Sequence, residues 1–202
     1  MTTAIEDQLL AAVGELRGIE AANRLCEVCV TALGVQAAAI SVVLDGCNVA
    51  TLGASSAAAR TYDEVQFTVG EGPCLDCVAH CAPVVVIDLV DPTEARWPLY
   101  RPAMLAHGIR GVCAMPVMVA GECVGALELF LIGAGNLEGE RFTAALLAAA
   151  LAQLPLLDLL DDELRSTASD PDAAPGIGLH VIARVEVAQA TGMLMAQLHR
   201  GD

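Results

Sequence analysis

From Ile5 the residues Ile5, Leu9, Ala12, Leu16, Ile19, Asn23, Cys26, Val30 and Leu33 recur at alternating steps of four and three. That spacing lays them along one stripe of a helix, so the chain is expected to open helically. Gly14 and Gly18 each weaken a helix by about 1 kcal/mol relative to alanine, which predicts a break near Gly18 and a close at Leu33-Gly34. The polar Asn23 within the stripe suits a register-setting place in a dimer seam. The period then changes. Ala38, Ile40, Val42 and Leu44 alternate with Ala39, Ser41 and Val43, and Asp45-Gly46 is a turn signal before Cys47 to Leu52, which is the pattern of a β-hairpin.

Residues 53–60 read as a small-residue loop, and Gly70-Glu71-Gly72-Pro73 as a sharp backbone stop that starts a short helix over residues 74–80. Val84-Val85-Val86-Ile87, ended by Asp88, predicts a strand buried on both faces. A helix from about residue 97 to 106 follows the Asp91-Pro92 turn. Residues 111–119 and 123–131, joined by Ala120-Gly121-Glu122, predict a second hairpin. A long alanine- and leucine-rich helix is expected from about residue 137 to 164, with Pro155 as a place to kink. Residues 166–176 are a linker by composition, and Val181, Val185, Ala188, Gly192 and Met195 place a further helix after Ile177.

This order of elements is α+β, an antiparallel sheet with helices packed on it, long flanking helices and a C-terminal helix. The 202 residues are 55% hydrophobic, enough for one sizeable core and an appendage, and inconsistent with a disordered chain. There are 25 acidic against 10 basic side chains, all arginine, and a net charge of −15. A broad nucleic-acid face is thereby excluded. The start of the chain has neither the basic patch nor the apolar run of a signal peptide, so a cytoplasmic location is expected. Gln153, Pro155 and Asp158 interrupt the apolar stretch 142–160, which favours a buried or dimer-forming helix over a membrane span. In a reducing cytosol the eight cysteines are expected as thiols.

Asp63 to Gln66, Gly70-Glu71-Gly72-Pro73-Cys74-Leu75-Asp76, Pro83-Val84-Val85-Val86, Asp88-Leu89, Arg96-Trp97-Pro98 and Gly108-Ile109-Arg110 together resemble a GAF sensor domain of the kind that precedes an ANTAR domain, the RNA-binding module of antitermination regulators. Arg184-Val185-Glu186-Val187-Ala188-Gln189-Ala190-Thr191-Gly192-Met193-Leu194-Met195 resembles the opening helix of that module. The resemblance implies an N-terminal helix over 1–18, a GAF-like domain over 19–165, the linker 166–176, and over 177–202 the first helix of an incomplete ANTAR domain. It makes Arg184 and Gln189 the RNA-binding candidates. Some family members carry lysine at the place of Thr191, and the module's further helices are not among these residues, so RNA is expected as a partner only with a complete module. The implied function is detection of a small-molecule or redox signal that controls antitermination. The alternative is a GAF-only dimeric binding module that acts through a protein partner without RNA.

No phosphate loop, serine elbow or paired histidines at metal spacing occur, and His80, His107, His180 and His199 are scattered, so no enzymatic activity is expected. Cys74, Cys77 and Cys81 fall within two helical turns and are the redox candidates. A helix start at Pro73 favours a thiolate at Cys74, but its field of about 0.3 to 1 kcal/mol leaves the thiol largely protonated, so Cys74 is expected to react first and only modestly, with Cys77 and Cys81 buried and slow, and His80 is the nearest residue to complete a metal set. Packing of small apolar side chains is the preferred reading, with no metal assigned. Trp97 and Tyr100 are candidates to wall a ligand pocket whose effector, like any cofactor, is unassigned. A homodimer is expected because the first and penultimate helices carry more apolar surface than one sheet face covers. No membrane partner is expected.

Overall fold

A computed structural model describes residues 4–14, 16–44 and 47–169. The opening stripe folds as α1 (Ala4–Gly14) and α2 (Gly18–Leu33), separated at the expected place. Gly34, at φ 61°, closes α2 in the left-handed conformation. The strands β1 (Ala37–Leu44) and β2 (Cys47–Ala54) follow, then α3 (Ala57–Val69), α4 (Pro73–His80), β3 (Val84–Val86), α5 (Tyr100–Ala106), β4 (Gly111–Val119), β5 (Glu122–Leu131), α6 (Gly139–Leu151) and α7 (Gln153–Ser169). The strands form one antiparallel sheet in the order β2-β1-β5-β4-β3.

Alternation along β1 divides the molecule into two cores. Ala38, Ile40, Val42 and Leu44 join the cluster formed by α1, α2, α6 and α7 on one face, and Ala37, Ala39 and Val43 join that formed by α3, α4 and α5 on the other. Both faces are covered, which is why all eight residues of β1 are buried. Glycine at position 53 lets α2 lie directly on β2, because a Cβ there would stand 2.6 Å from the Ala22 backbone. Asn23 belongs to this contact. Its Oδ1 accepts the Ala54 amide at 2.9 Å, a bond within the chain that pins α2 to the end of β2.

Several expectations need correction. Residues 57–60, read as loop, begin α3, where Ser56 accepts the Ala59 amide at 3.1 Å and an alanine run supplies helix propensity. The buried strand expected over residues 84–87 is the short edge strand β3, with Val85 half-buried and Ile87 exposed. The single helix expected over 137–164 divides at Ala152, which leaves Pro155 in the first turn of α7, where a missing amide costs nothing. Helix α7 runs through Ser169, into the expected linker. Gly139–Asp162 has the length and apolarity of a membrane-crossing helix, and half of its most apolar window is buried within the molecule. Asp158 ties this helix to α2 by accepting the Gly18 amide at 3.1 Å and pairing with Arg17 at 2.8 Å. The helix expected after Ile177, with Arg184 and Gln189, lies outside the described residues.

Candidate functional site

The face of the sheet beneath α3, α4 and α5 carries a polar cluster inside an otherwise apolar core. Ser41 shares its face of β1 with Ala39 and Val43, and Glu128 shares its face of β5 with Ala126 and Phe130. Asp63 and Gln66, three residues apart on α3, project together onto them. Asp63, Gln66 and Glu128 are each 0% exposed, and Ser41 is 1% exposed. Burial of two carboxyl groups is costly unless each is neutral or well partnered.

The partners are specific. Asp63 accepts hydrogen bonds from the hydroxyls of Ser41 and Thr51 through its two oxygens. Gln66 Nε2 donates to Glu128 Oε1 at 2.5 Å, and Ser41 Oγ lies 3.4 Å from Glu128 Oε2. The Ser41 hydroxyl thus lies against both carboxyl groups and brings Asp63 and Glu128 into one buried cluster. Burial, and then the neighbouring Asp63 charge, push the Glu128 carboxyl well above the usual carboxylate range.

The Gly70–Pro73 turn closes the cluster at one side. Gln66 Oε1 accepts the Cys74 amide at 2.7 Å, joining α3 to the start of α4. Gly72, at φ 150°, passes so close to Gln66 that a Cβ would meet its Oε1 at 2.2 Å, which explains the glycine. Glu71 reaches outward and accepts the amides of Leu99 at 2.5 Å and Tyr100 at 3.1 Å, holding the start of α5.

Tyr100, the first residue of α5, packs into the same core. Its ring is fully buried and its hydroxyl has no hydrogen-bond partner, an uncommon state for a buried phenol. Burial, followed by the charges of Glu128, Cys74 and Asp63, raises the phenol well above its ordinary range. Trp97 packs edge-on against Tyr100 with ring centroids 6.0 Å apart, and Arg96 lies 4.2 Å over the indole. Trp97 also lines an outer groove of about 460 Å³ with Pro98, Arg101 and Leu105. The two aromatic candidates thus come together, both buried, with Trp97 also lining the outer groove.

The cysteines do not form a common centre. Cys74 is fully buried, and desolvation, then Glu128 and Asp63, raise its thiol, against a smaller opposing effect of a Ser41 hydrogen bond. The Cys74 amide at the start of α4 is taken up by Gln66, and burial opposes the thiolate there. Cys77 is buried with its thiol directed to the Ala114 carbonyl at 3.5 Å, and burial raises it too. Cys81 was expected to be buried and slow, yet it is exposed at the end of α4, 3.4 Å from the Met118 sulfur. His80 is exposed and its Nδ1 meets the Asp76 carbonyl at 2.7 Å, away from the thiols. Among the described residues no group of three or more potential metal ligands converges.

Residues 18–154 match the GAF domain family. The chain belongs to that family. Its fold is similar to the GAF domain from a phosphoenolpyruvate-protein phosphotransferase of Coxiella burnetii, at 17% identity and a TM-score of 0.59, covering 81% of this chain and 95% of that one. An A. aeolicus GAF domain in an inactive state matches at 13% identity and a TM-score of 0.52, over 76% and 93% of the two chains. The chromophore-binding domain of a bacteriophytochrome from R. palustris matches at 9% identity and a TM-score of 0.53, over 79% and 61%. These identities speak to the GAF fold alone. No curated protein matches the chain by sequence.

Proposed function

We propose that this GAF chain is a non-catalytic, dimeric sensor that binds a small molecule on the α3–α5 face of its sheet and passes the change to the helices on the opposite face. The observation that carries this reading is the buried Tyr100 hydroxyl, left without a partner in the core beneath α3, α4 and α5 into which Asp63 and Glu128 are also buried. A polar core evolved only for stability would complete its hydrogen bonds, whereas a binding site leaves them for its ligand. The cluster includes Ser41 of β1 and Glu128 of β5, and residues alternating with them along the same strands contact α2 and α6. A ligand that shifts those strands therefore acts on both helical layers.

The output assigned by resemblance is antitermination through an ANTAR module beginning near Ile177, with Arg184 and Gln189 against RNA. Its support is the sequence pattern of residues 184–195. The competing output, docking of a protein partner, draws on the exposed leucines Leu146, Leu154 and Leu157 of α6 and α7. These 202 residues alone are expected to bind RNA weakly and without sequence preference, given ten arginines spread along the chain.

A thermal-shift screen of small metabolites, run in parallel on the chain and on Asp63→Asn and Tyr100→Phe, tests the sensor reading. Compounds that raise Tm for the chain and lose that effect in both variants are expected. Hits that survive both substitutions would place binding elsewhere. Gel shifts with an RNA hairpin, with and without such a hit, separate the two outputs.

A further inference from the structure

Helices α6 and α7 carry two apolar faces. The first is the buried row Ala144, Ala145, Ala148, Ala152, Leu156 and Leu160, which packs among α1, α2 and β4. The second points away from the core: Thr143, Leu146, Ala150, Leu154, Leu157 and Asp161 are all exposed and follow one another at steps of three and four residues. Ala152 between the helices keeps right-handed helical angles, φ −63° and ψ −17°, so this row continues across the joint. Between Leu146 and Leu157 it is apolar for about 16 Å, at 1.5 Å per residue. Leu146, Leu154 and Leu157 are 38%, 42% and 42% exposed, and three leucines aligned on a solvated helix face mark a contact surface.

The row is complementary to itself run backwards. A second copy placed antiparallel, with a two-fold axis at Ala152, sets the small Ala150 against the partner's Leu154, Leu146 against the partner's Leu157, and Thr143 against the partner's Asp161. A parallel copy would set alanine on alanine at position 150, leaving a gap, and aspartate on aspartate at position 161. Arg165 is shared by Asp161 and Asp162, so this end of the row stays acidic and repels its like. Run antiparallel, the same Arg165 approaches the partner's Glu140, exposed at the start of α6, and the helix dipoles oppose each other. Acids at both ends of the row disfavour an anionic lipid surface as its cover.

We propose that α6 and α7 dock antiparallel on the same two helices of a second copy, through Leu146, Ala150, Leu154 and Leu157, with Thr143 and Asp161 closing each end. The inference rests on the dimeric part of the sensor reading and assigns its surface and direction. It carries a functional consequence: α7 ends at Ser169, 17 residues from the axis, so the two chains leave the dimer about 50 Å apart and in opposite directions, and whatever follows each α7 acts singly.

Sedimentation equilibrium of the full chain, run over a range of concentrations, reads the dimer dissociation constant of parent and variants, and thermal melts establish that each variant is folded. Leu146→Glu should weaken the dimer about tenfold or more, since it sets a carboxylate against a leucine twice per dimer. Thr143→Arg decides direction by sign. Antiparallel, the new guanidinium meets the partner's Asp161, and two such pairs should tighten the dimer about tenfold at low salt. Parallel, it meets its own copy and loosens the dimer. The gain should vanish in high salt and when Asp161→Asn is added. A dimer that Thr143→Arg weakens or leaves unchanged overturns the antiparallel arrangement. One indifferent to Leu146→Glu places the seam on other helices, so the surface falls while the dimeric reading stands. A parent that is monomeric throughout removes both, and leaves the ligand site to the thermal-shift screen.

Discussion

Glu128 keeps its proton in the folded chain to a higher pH than a glutamate in the unfolded chain. Between those two values the native state binds more protons, so stability falls as pH rises, by up to about 1.4 kcal/mol per unit. Glu128→Gln keeps the amide-like geometry and removes the titration. Urea midpoints measured from pH 5 to pH 8 should therefore slope downward for the parent and flatten for this variant; an unchanged slope would remove the Glu128 proton from the account. Thiol chemistry follows exposure in the same way. Cys81 should alkylate first, while Cys74 and Cys77 wait for unfolding, and mass spectrometry of iodoacetamide-treated protein checks the order. Of these residues the sequence marked the cysteines and Tyr100, and quoted Asp63 and Gln66 only within a family pattern. Glu128 was legible by another route: an acid between Leu127 and Leu129, with Ala126 and Phe130 in its own parity, is a charge on an interior strand face. Ser41 had no such mark, because a serine in an alternating strand is unremarkable until its neighbour across the core is known.

At the scale of elements, the two hairpins and the break between α1 and α2 follow from period and glycine placement, and both are where the pattern put them. The α3 helix did not stand out because its apolar residues are small or few, and its start depends on Ser56 as a cap more than on any stripe. The α6–α7 division was visible only as Pro155; its position three residues earlier reflects the demand that proline sit in a first helical turn. The link between α7 and α2 was hidden altogether, since Asp158 and Gly18 are 140 residues apart. Asp158 acts there as a cap supplied from another helix. Its own burial pushes the carboxyl up, but the Gly18 amide and Arg17 outweigh this and hold it below the usual aspartate range. Asp158→Ala should cost about 1 kcal/mol, in the range of a lost N-cap, and speed amide exchange at the first turn of α2. Exchange confined to α7 would show that the two helices do not depend on this contact.

On the scale of the molecule, four helices cover one face of the sheet and three the other, so most of the opening stripe is used within the chain. Leu9 is fully buried, and Leu9→Glu would unfold the domain instead of testing assembly. The side chains left for the proposed dimer are Leu10, Ile19, Leu146, Leu154 and Leu157, all exposed. The double variant Leu154→Glu, Leu157→Glu is expected to convert two chains to one in light scattering at micromolar concentration, with its melting temperature held; a parent already monomeric would refute the dimer. The helical layer and the polar site lie on opposite faces, a separation no local pattern could reveal, because it arises from the pairing of β1 with β5 across more than 80 residues of chain. The chain has one tryptophan, and it stands between the Arg96 guanidinium and the Tyr100 ring. Its fluorescence is therefore a built-in optical gauge: any displacement of Tyr100 alters what flanks the indole, and occupancy can be followed as a change in emission colour and intensity without attaching a dye.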